Sequence, residues 1–311
     1  MRRAIVLGAL IVAGALSAAV SAMQQPPAAG RGGQAPPMVV EIEKLKDTLY
    51  VLRGGGGNTA AFITESGVVL VDAKLPGWGK PIIDAVKKIT DKPVTTIINT
   101  HTHFDHVSGN VEFPPTVEVI TQENTAKLMR EMHPVYGIQT GPQPNIFKDN
   151  NWVGLPRRTF KSRMTLGKGN EKIELYYFGR AHTNGDAFVV FPFHRVLHTG
   201  DAFPNKGMPI MDKNNGGSAV EYANTVGKAA ALRNIDAVIT GHSPMMTIAD
   251  VKEYSEFIRD FVQNVQAAKK AGKTVDEVTS SWKVPERFKG YAQPMPERLK
   301  PNVQVVFDET R

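Results

Sequence analysis

The chain has 311 residues, 37 Lys and Arg against 30 Asp and Glu for a formal charge of +7, 41% hydrophobic residues and no cysteine. Without thiols, disulfides, thiolate metal ligands and a lipidated leader are excluded, so stability rests on packing and metal. The basic excess is scattered along the chain, which argues against a nucleic-acid partner and for a solvated surface that mildly favours anionic substrates.

Arg2 and Arg3 precede an Ala-rich apolar run over 4–20, and Val20, Ser21 and Ala22 offer the small residues a signal peptidase needs. Small residues dilute this run and no stop-transfer charges follow it. Residues 1–22 are therefore expected to be a signal peptide directing the chain to the periplasm or beyond, with a membrane partner only if it stays uncleaved. Residues 23–37, rich in Gln, Pro, Ala and Gly, carry too little apolar matter to fold and are expected to form a flexible leader. About 270 residues remain, enough for one large core or two layers sharing it.

From 39 to 72, short apolar runs at 39–42, 49–52, 60–63 and 68–71 alternate with turn residues, the pattern of a strand meander. Four glycines, Gly54 to Gly57, precede Asn58 and lose much conformational entropy on folding, so they mark a mobile hairpin or a close backbone approach. No Gly-x-Gly-x-x-Gly helix context accompanies them, and nucleotide binding is excluded. Asp72 ends a buried strand; it either orients a metal ligand or caps the next helix. The periodicity predicts an amphipathic helix over 79–90 and a strand over 94–99, an order that favours parallel pairing.

That strand runs into Thr100-His101-Thr102-His103-Phe104-Asp105-His106. In extended chain, residues two apart point the same way, so His101 and His103 can chelate one ion. Asp105 and His106 lie past the strand end, where a turning backbone can aim them at a second. Imidazole with carboxylate suits zinc, and iron or manganese less specifically. Three of the eight histidines fall within six positions, a concentration that favours metal over a solvated turn.

A strand is expected at 117–120 and a helix over 122–132. The aperiodic stretch 133–164 reads as an insertion for substrate recognition, ordered by Tyr136, Phe147, Trp152 and Leu155. Further strands are expected at 173–178, 187–191 and 195–198, then a helix over 220–232 opened by a capping box of Ser218 and Glu221, and a strand at 236–239. A helix over 251–270 places Val251, Tyr254, Ile258, Phe261, Val262 and Val265 on one face. Two mixed blocks of this kind make an α/β fold, an αββα sandwich of two mixed β-sheets flanked by helices, with the domain spanning 38–272. Residues 273–311 are expected to pack on it as a short helix and an edge strand at 303–307. His133 and His198 read as ordinary histidines, His194 as a solvated turn residue, and Lys206 as a surface lysine.

The run His101-Thr102-His103-Phe104-Asp105-His106 resembles the HxHxDH signature of the metallo-β-lactamase superfamily. Residues 179–186 look like the segment supplying that family's third histidine, 198–201 like its bridging-carboxylate turn, and 240–243 like its last ligand. The resemblance spans roughly residues 45–245 and implies that His101, His103 and His182 hold a first metal, Asp105, His106 and His242 a second, with Asp201 bridging. It further implies two Zn2+ as cofactors, a loop at the glycine run overhanging the site, and Asp105 as a catalytic residue passing a proton to the leaving group. Two cations sharing a water lower its pKa towards neutrality, which makes a nucleophile without a general base. At position 201 the family's zinc β-lactamases usually carry cysteine or serine. Glyoxalase II, acyl-homoserine lactonases and related esterases and phosphodiesterases carry aspartate. The expected function is a secreted dinuclear zinc hydrolase of a small carbonyl substrate (β-lactam, lactone or ester); the alternatives are an iron-dependent redox enzyme of the same fold and a phosphodiesterase or nuclease.

Overall fold

The computed structural model describes residues 38–311, and the expected signal peptide and leader lie outside them. Two sheets form the centre. The first has seven strands in the order of the chain: β1 (Glu41–Lys44), β2 (Leu49–Arg53), β3 (Thr59–Ile63), β4 (Val68–Val71), β5 (Val94–Ile98), β6 (Glu118–Gln122) and β7 (Arg158–Phe160). Strands β1 to β4 pair antiparallel, and β4 to β7 pair parallel. The second sheet has the order β12-β11-β10-β9-β8, made of β8 (Arg163–Leu166), β9 (Ile173–Tyr177), β10 (Ala187–Phe191), β11 (Val196–His198) and β12 (Ala237–Ile239). There β11 and β12 are parallel and the other pairs antiparallel.

Alternation along each strand decides what each sheet face buries. Phe62, Val69, Val71 and Ile98 meet Leu175, Val189, Phe191 and Ile239 between the sheets. Their neighbours Ala61, Val68, Leu70 and Ile97 face the other way, onto Ile82, Ala85 and Val86 of helix α1 (Gly79–Lys87). On the second sheet Phe188, Val190, Leu197 and Val238 face α5 (Ala219–Ala230) and α6 (Ile248–Lys270). The result is helix, sheet, sheet, helix, as the two blocks of the sequence imply.

In chain order α2 (Phe104–Val107) falls between β5 and β6, and α3 (Glu123–Glu131) and α4 (Ile146–Asp149) between β6 and β7. The stretch 133–164 is more regular than its composition suggests, since it holds α4, β7 and the start of β8. Strands of three or four residues with polar side chains leave no apolar run to find.

Residues 303–307 do not form the expected edge strand; they belong to helix α8 (Pro296–Glu309), which follows α7 (Val275–Ser281). The β-branched run suits a strand, but tertiary packing overrides that preference. Leu299, Val303 and Val306 recur at four and three residues, and all three are buried with α5 and α6 in one core. Pro296 opens the helix at a position where no N–H is needed. The predicted capping box at α5 is half formed: Ser218 accepts from the Glu221 N–H, while the Glu221 carboxylate accepts from Arg180 instead.

Candidate metal centre

Parallel pairing puts the carboxyl ends of β4, β5, β11 and β12 at sheet edges from which the chain turns into side chains of one chemistry. Strand β10 runs antiparallel to β11, so the segment entering it, with His182, arrives at the same edge. All seven residues singled out in the sequence meet there. His101, His103, His182 and Asp201 form one group and Asp105, His106 and His242 another, the coordinating atoms within each group lying within 4.8 Å of one another. Asp201 reaches both: Oδ1 lies 3.3 Å from His106 Nε2, and Oδ2 lies 3.2 Å from His242 Nε2 and 3.7 Å from His182 Nε2.

Hydrogen bonds on the outer side of the rings fix which nitrogen faces inward. His106 Nδ1 donates to Asp72 Oδ2 at 2.8 Å, and His103 Nε2 to Asp212 Oδ2 at 2.7 Å. His182 Nδ1 donates to the Ile210 carbonyl at 2.7 Å. Thr100 spends its hydroxyl proton on Asp72 Oδ2, so it accepts from His101 Nδ1 at 3.0 Å. His101, His103 and His182 therefore turn an unprotonated nitrogen into the site. Burial opposes charge on His106, but Asp201, Asp105 and Asp72 raise it well above its ordinary value, and its Nε2 turns towards the two inner carboxylates. His103 Nδ1 and His182 Nε2 then face one another as acceptors across 2.9 Å, and His101 Nε2, Asp105 Oδ1 and Asp201 Oδ1 are buried without any partner. Converging lone pairs and orphaned acceptors are unfavourable in protein alone and fit divalent cations.

The electrostatics divide along the same line. Burial, with His103 adding, pulls His182 down to about 4, and burial with His106 and His103 holds His101 well below its ordinary value. Burial works against the charge on His242 too, but Asp201 and Asp105 raise it to about 10. Burial likewise opposes ionised Asp201, and His242 and His106 outweigh it to hold the carboxyl well below its usual range.

The glycine run makes a close approach. Gly57 N–H donates to the Asp105 carbonyl at 3.1 Å, and Asn58 N–H to the Gly241 carbonyl at 2.7 Å. A Cβ on Gly57 would overlap the His106 ring, and one on Gly56 the Asp105 carbonyl. Asn58 Nδ2 donates to the Thr240 and Ser243 carbonyls, so the run ties the turn of Asp105 to the turn of His242. Lys74, fully buried, donates to the Leu52 and Gly57 carbonyls at 2.8 and 2.7 Å, and burial draws its pKa down to about 7.

Asp72 orients the His106 ring and does not cap α1, whose N-cap is Trp78. His198 is a satisfied core histidine, bonded to the Asn58 carbonyl and the Gly200 N–H. His194 departs from the expectation of a solvated turn: it is buried against Phe62 and bonds Thr48 Oγ1 at 2.9 Å. Lys206 pairs with Asp250 and Glu253, as a surface lysine does. Asp212 escaped the sequence reading. Its only local signal is an Asx turn, the carboxylate accepting from the Asn214 and Asn215 N–H groups, and no spacing relates it to His103 across 109 positions.

A model of the metallo-beta-lactamase superfamily matches residues 52–242. A metallo-beta-lactamase type 2 from Elizabethkingia meningoseptica is 25% identical over 246 residues, 74% of this chain and 89% of that protein. Among solved structures, a metallo-beta-lactamase from Pontibacter korlensis is similar with a TM-score of 0.57 at 18% identity, over 71% of this chain and 99% of its own. A stereoselective inverting sec-alkylsulfatase from Pseudomonas sp. is similar with a TM-score of 0.66 at 17% identity, over 86% of this chain and 50% of its own. At such identities the structural likeness is one of fold.

Proposed function

The chain belongs to the metallo-beta-lactamase superfamily, and on that premise we propose that it is an exported dinuclear zinc hydrolase opening a small carbonyl substrate: a β-lactam, a lactone or an ester. One observation carries the reading. Seven buried or half-buried side chains of metal-ligating type converge on one space, in two groups that Asp201 connects, and His101 Nε2, Asp105 Oδ1 and Asp201 Oδ1 among them have no partner. His101, His103 and His182 would hold one ion, Asp105, His106 and His242 the other, and Asp201 would bridge. Two divalent cations would supply there a water of lowered pKa and Lewis-acid polarisation of the carbonyl.

The chain's own residues do the rest. Asp72, Asp212 and the Ile210 carbonyl keep three rings in the tautomer that leaves the inner nitrogen free. Asp105 is the residue to which the family resemblance gives the passing of a proton to the leaving atom. His242, with 19% of its side chain exposed against 6% or less for Asp105, His106 and Asp201, marks the side from which substrate enters. The support for export is the sequence of residues 1–22 alone.

The test is hydrolysis of a cephalosporin and of an acyl-homoserine lactone by the zinc-loaded chain, beside an Asp105→Ala variant. Turnover of either that falls at least a hundredfold, roughly, in the variant supports the reading and selects the branch. Loss of neither activity on removing zinc with a chelator sinks it, and tight binding of iron in place of zinc favours redox chemistry.

A further inference from the structure

We propose that the C-terminal helix α8 is part of the metal centre: Asn302 holds the 209–212 loop in the position from which it orients His182 and His103. This rests on the reading of the seven residues as metal ligands. Asn302 is 2% exposed, and both ends of its amide are used on the loop. Nδ2 donates to the Pro209 carbonyl at 2.6 Å, and Oδ1 accepts from the Met211 N–H at 3.1 Å. Between those two contacts lies Ile210, whose carbonyl accepts the His182 Nδ1 proton, and one residue further on Asp212 accepts the His103 Nε2 proton.

The same loop is tied to α8 again further along. Lys213 Nζ pairs with Asp308 at 2.8 Å, and the Glu309 carboxylate accepts from Ser218 Oγ and the Val220 N–H, both at 3.0 Å. Two outer hydrogen bonds of one group of ligands thus depend on a helix that begins more than fifty positions after the last ligand, beyond the stretch 52–242 that carries the family match. The other group is held differently, His106 by Asp72 at the end of β4. An error of this loop would reach His182 and His103 and leave His106 in place. Ring orientation and basicity set metal affinity, and outer partners of ligating histidines are worth about ten- to a hundredfold in it.

The experiment compares the full chain with its Asn302→Leu, Asp212→Asn and Asp72→Asn variants in two readouts. One is stepwise zinc titration against a competing chelator, and the other is 15N NMR of the histidine rings in metal-free protein. Asn302→Leu keeps the side chain's branching and number of heavy atoms and removes both amide contacts. It is expected to weaken one of the two zinc-binding steps about tenfold, the step weakened by Asp212→Asn and not the step weakened by Asp72→Asn. In the metal-free chain it is expected to shift the ring nitrogen signals of His182 and His103, whose outer partners lie on the loop, while those of His106 stay as in the wild type. Should Asn302→Leu fail to fold, Asn302→Ser, which leaves room for a water, is expected to show the same pattern more weakly.

Unchanged ring signals and unchanged zinc steps overturn the proposal. Equal weakening of both steps, with His106 disturbed as well, also overturns it, because that is general loosening of the fold. A wild-type chain that binds fewer than two zinc ions, yet whose His182 and His103 ring signals shift in Asn302→Leu, leaves the role of the helix standing and removes the dinuclear reading.

Discussion

Single atoms decide whether the centre can assemble. Gly241 precedes His242, and a Cβ there would overlap Asp201 Oδ1. On the dinuclear zinc reading proposed above, Gly241→Ala is expected to displace the Asp201 carboxylate, lower zinc stoichiometry from two to one and cut turnover about a hundredfold or more. Metal analysis beside kinetics checks this, and full occupancy with wild-type rates would count against the bridging role. His198 gives the residue-scale pH effect. Burial lowers it from 6.5 to about 4, its ring accepting from the Gly200 N–H and donating to the Asn58 carbonyl. Its folded pKa is depressed, so the unfolded chain takes up the proton first as pH falls. Stability is then lost between pH 6.5 and 4 and regained as pH rises through that window, by up to about 3 kcal/mol. In urea melts, His198→Gln is expected to start about 1 kcal/mol less stable at pH 7.5 and to lose less on acidification than the wild type. Parallel pH curves for the two would refute the assignment.

At the scale of an element, the segment from Gly54 to Asn58 shows how a run that looks loose acts as a clasp. Its residues lack side chains where Asp105 and His106 pass, and its N–H groups bond two turns that carry ligands. Lys74 anchors it from beneath, in a left-handed backbone conformation with φ of 68°. Lys74→Met keeps much of the side chain's length but leaves the Leu52 and Gly57 carbonyls without this donor. The expected cost is about 2 to 4 kcal/mol in unfolding free energy, with weaker zinc binding as the glycine run relaxes away from Asp105. Helix α8 makes the opposite case. Its valines read as strand in isolation, and only Leu299, one turn before Val303, reveals the helical face that meets α5 and α6.

For the whole molecule, the arrangement of layers makes the C-terminal residues integral. Leu299, Val303, Val305 and Val306 are each 2% exposed or less. Burial of such side chains contributes about 1.5 to 3 kcal/mol apiece, a total comparable with the about 5 to 15 kcal/mol that holds a domain folded. A chain ending at residue 295 is expected to lose its cooperative thermal transition. A sharp melt near that of the full chain would show the core to be complete without α8. Two mixed sheets packed face to face also explain why ligands separated by 141 positions, His101 and His242, end at one edge. Parallel strands carry their carboxyl ends to the same side, and β10 enters where β11 leaves.

Sequence alone settled the layers and, through the family resemblance, named the seven residues that gather in two groups. Alternation and helical period are local consequences of backbone geometry, and the run from His101 to His106 concentrates its chemistry within a few positions. The tertiary structure alone decided what holds those side chains. Asp212 under His103, the Ile210 carbonyl under His182, Lys74 beneath the glycines and Asn302 behind the loop are single long-range contacts. A hydrogen bond made once between distant segments leaves no period and no spacing in the chain, because its partners are chosen by how the layers pack.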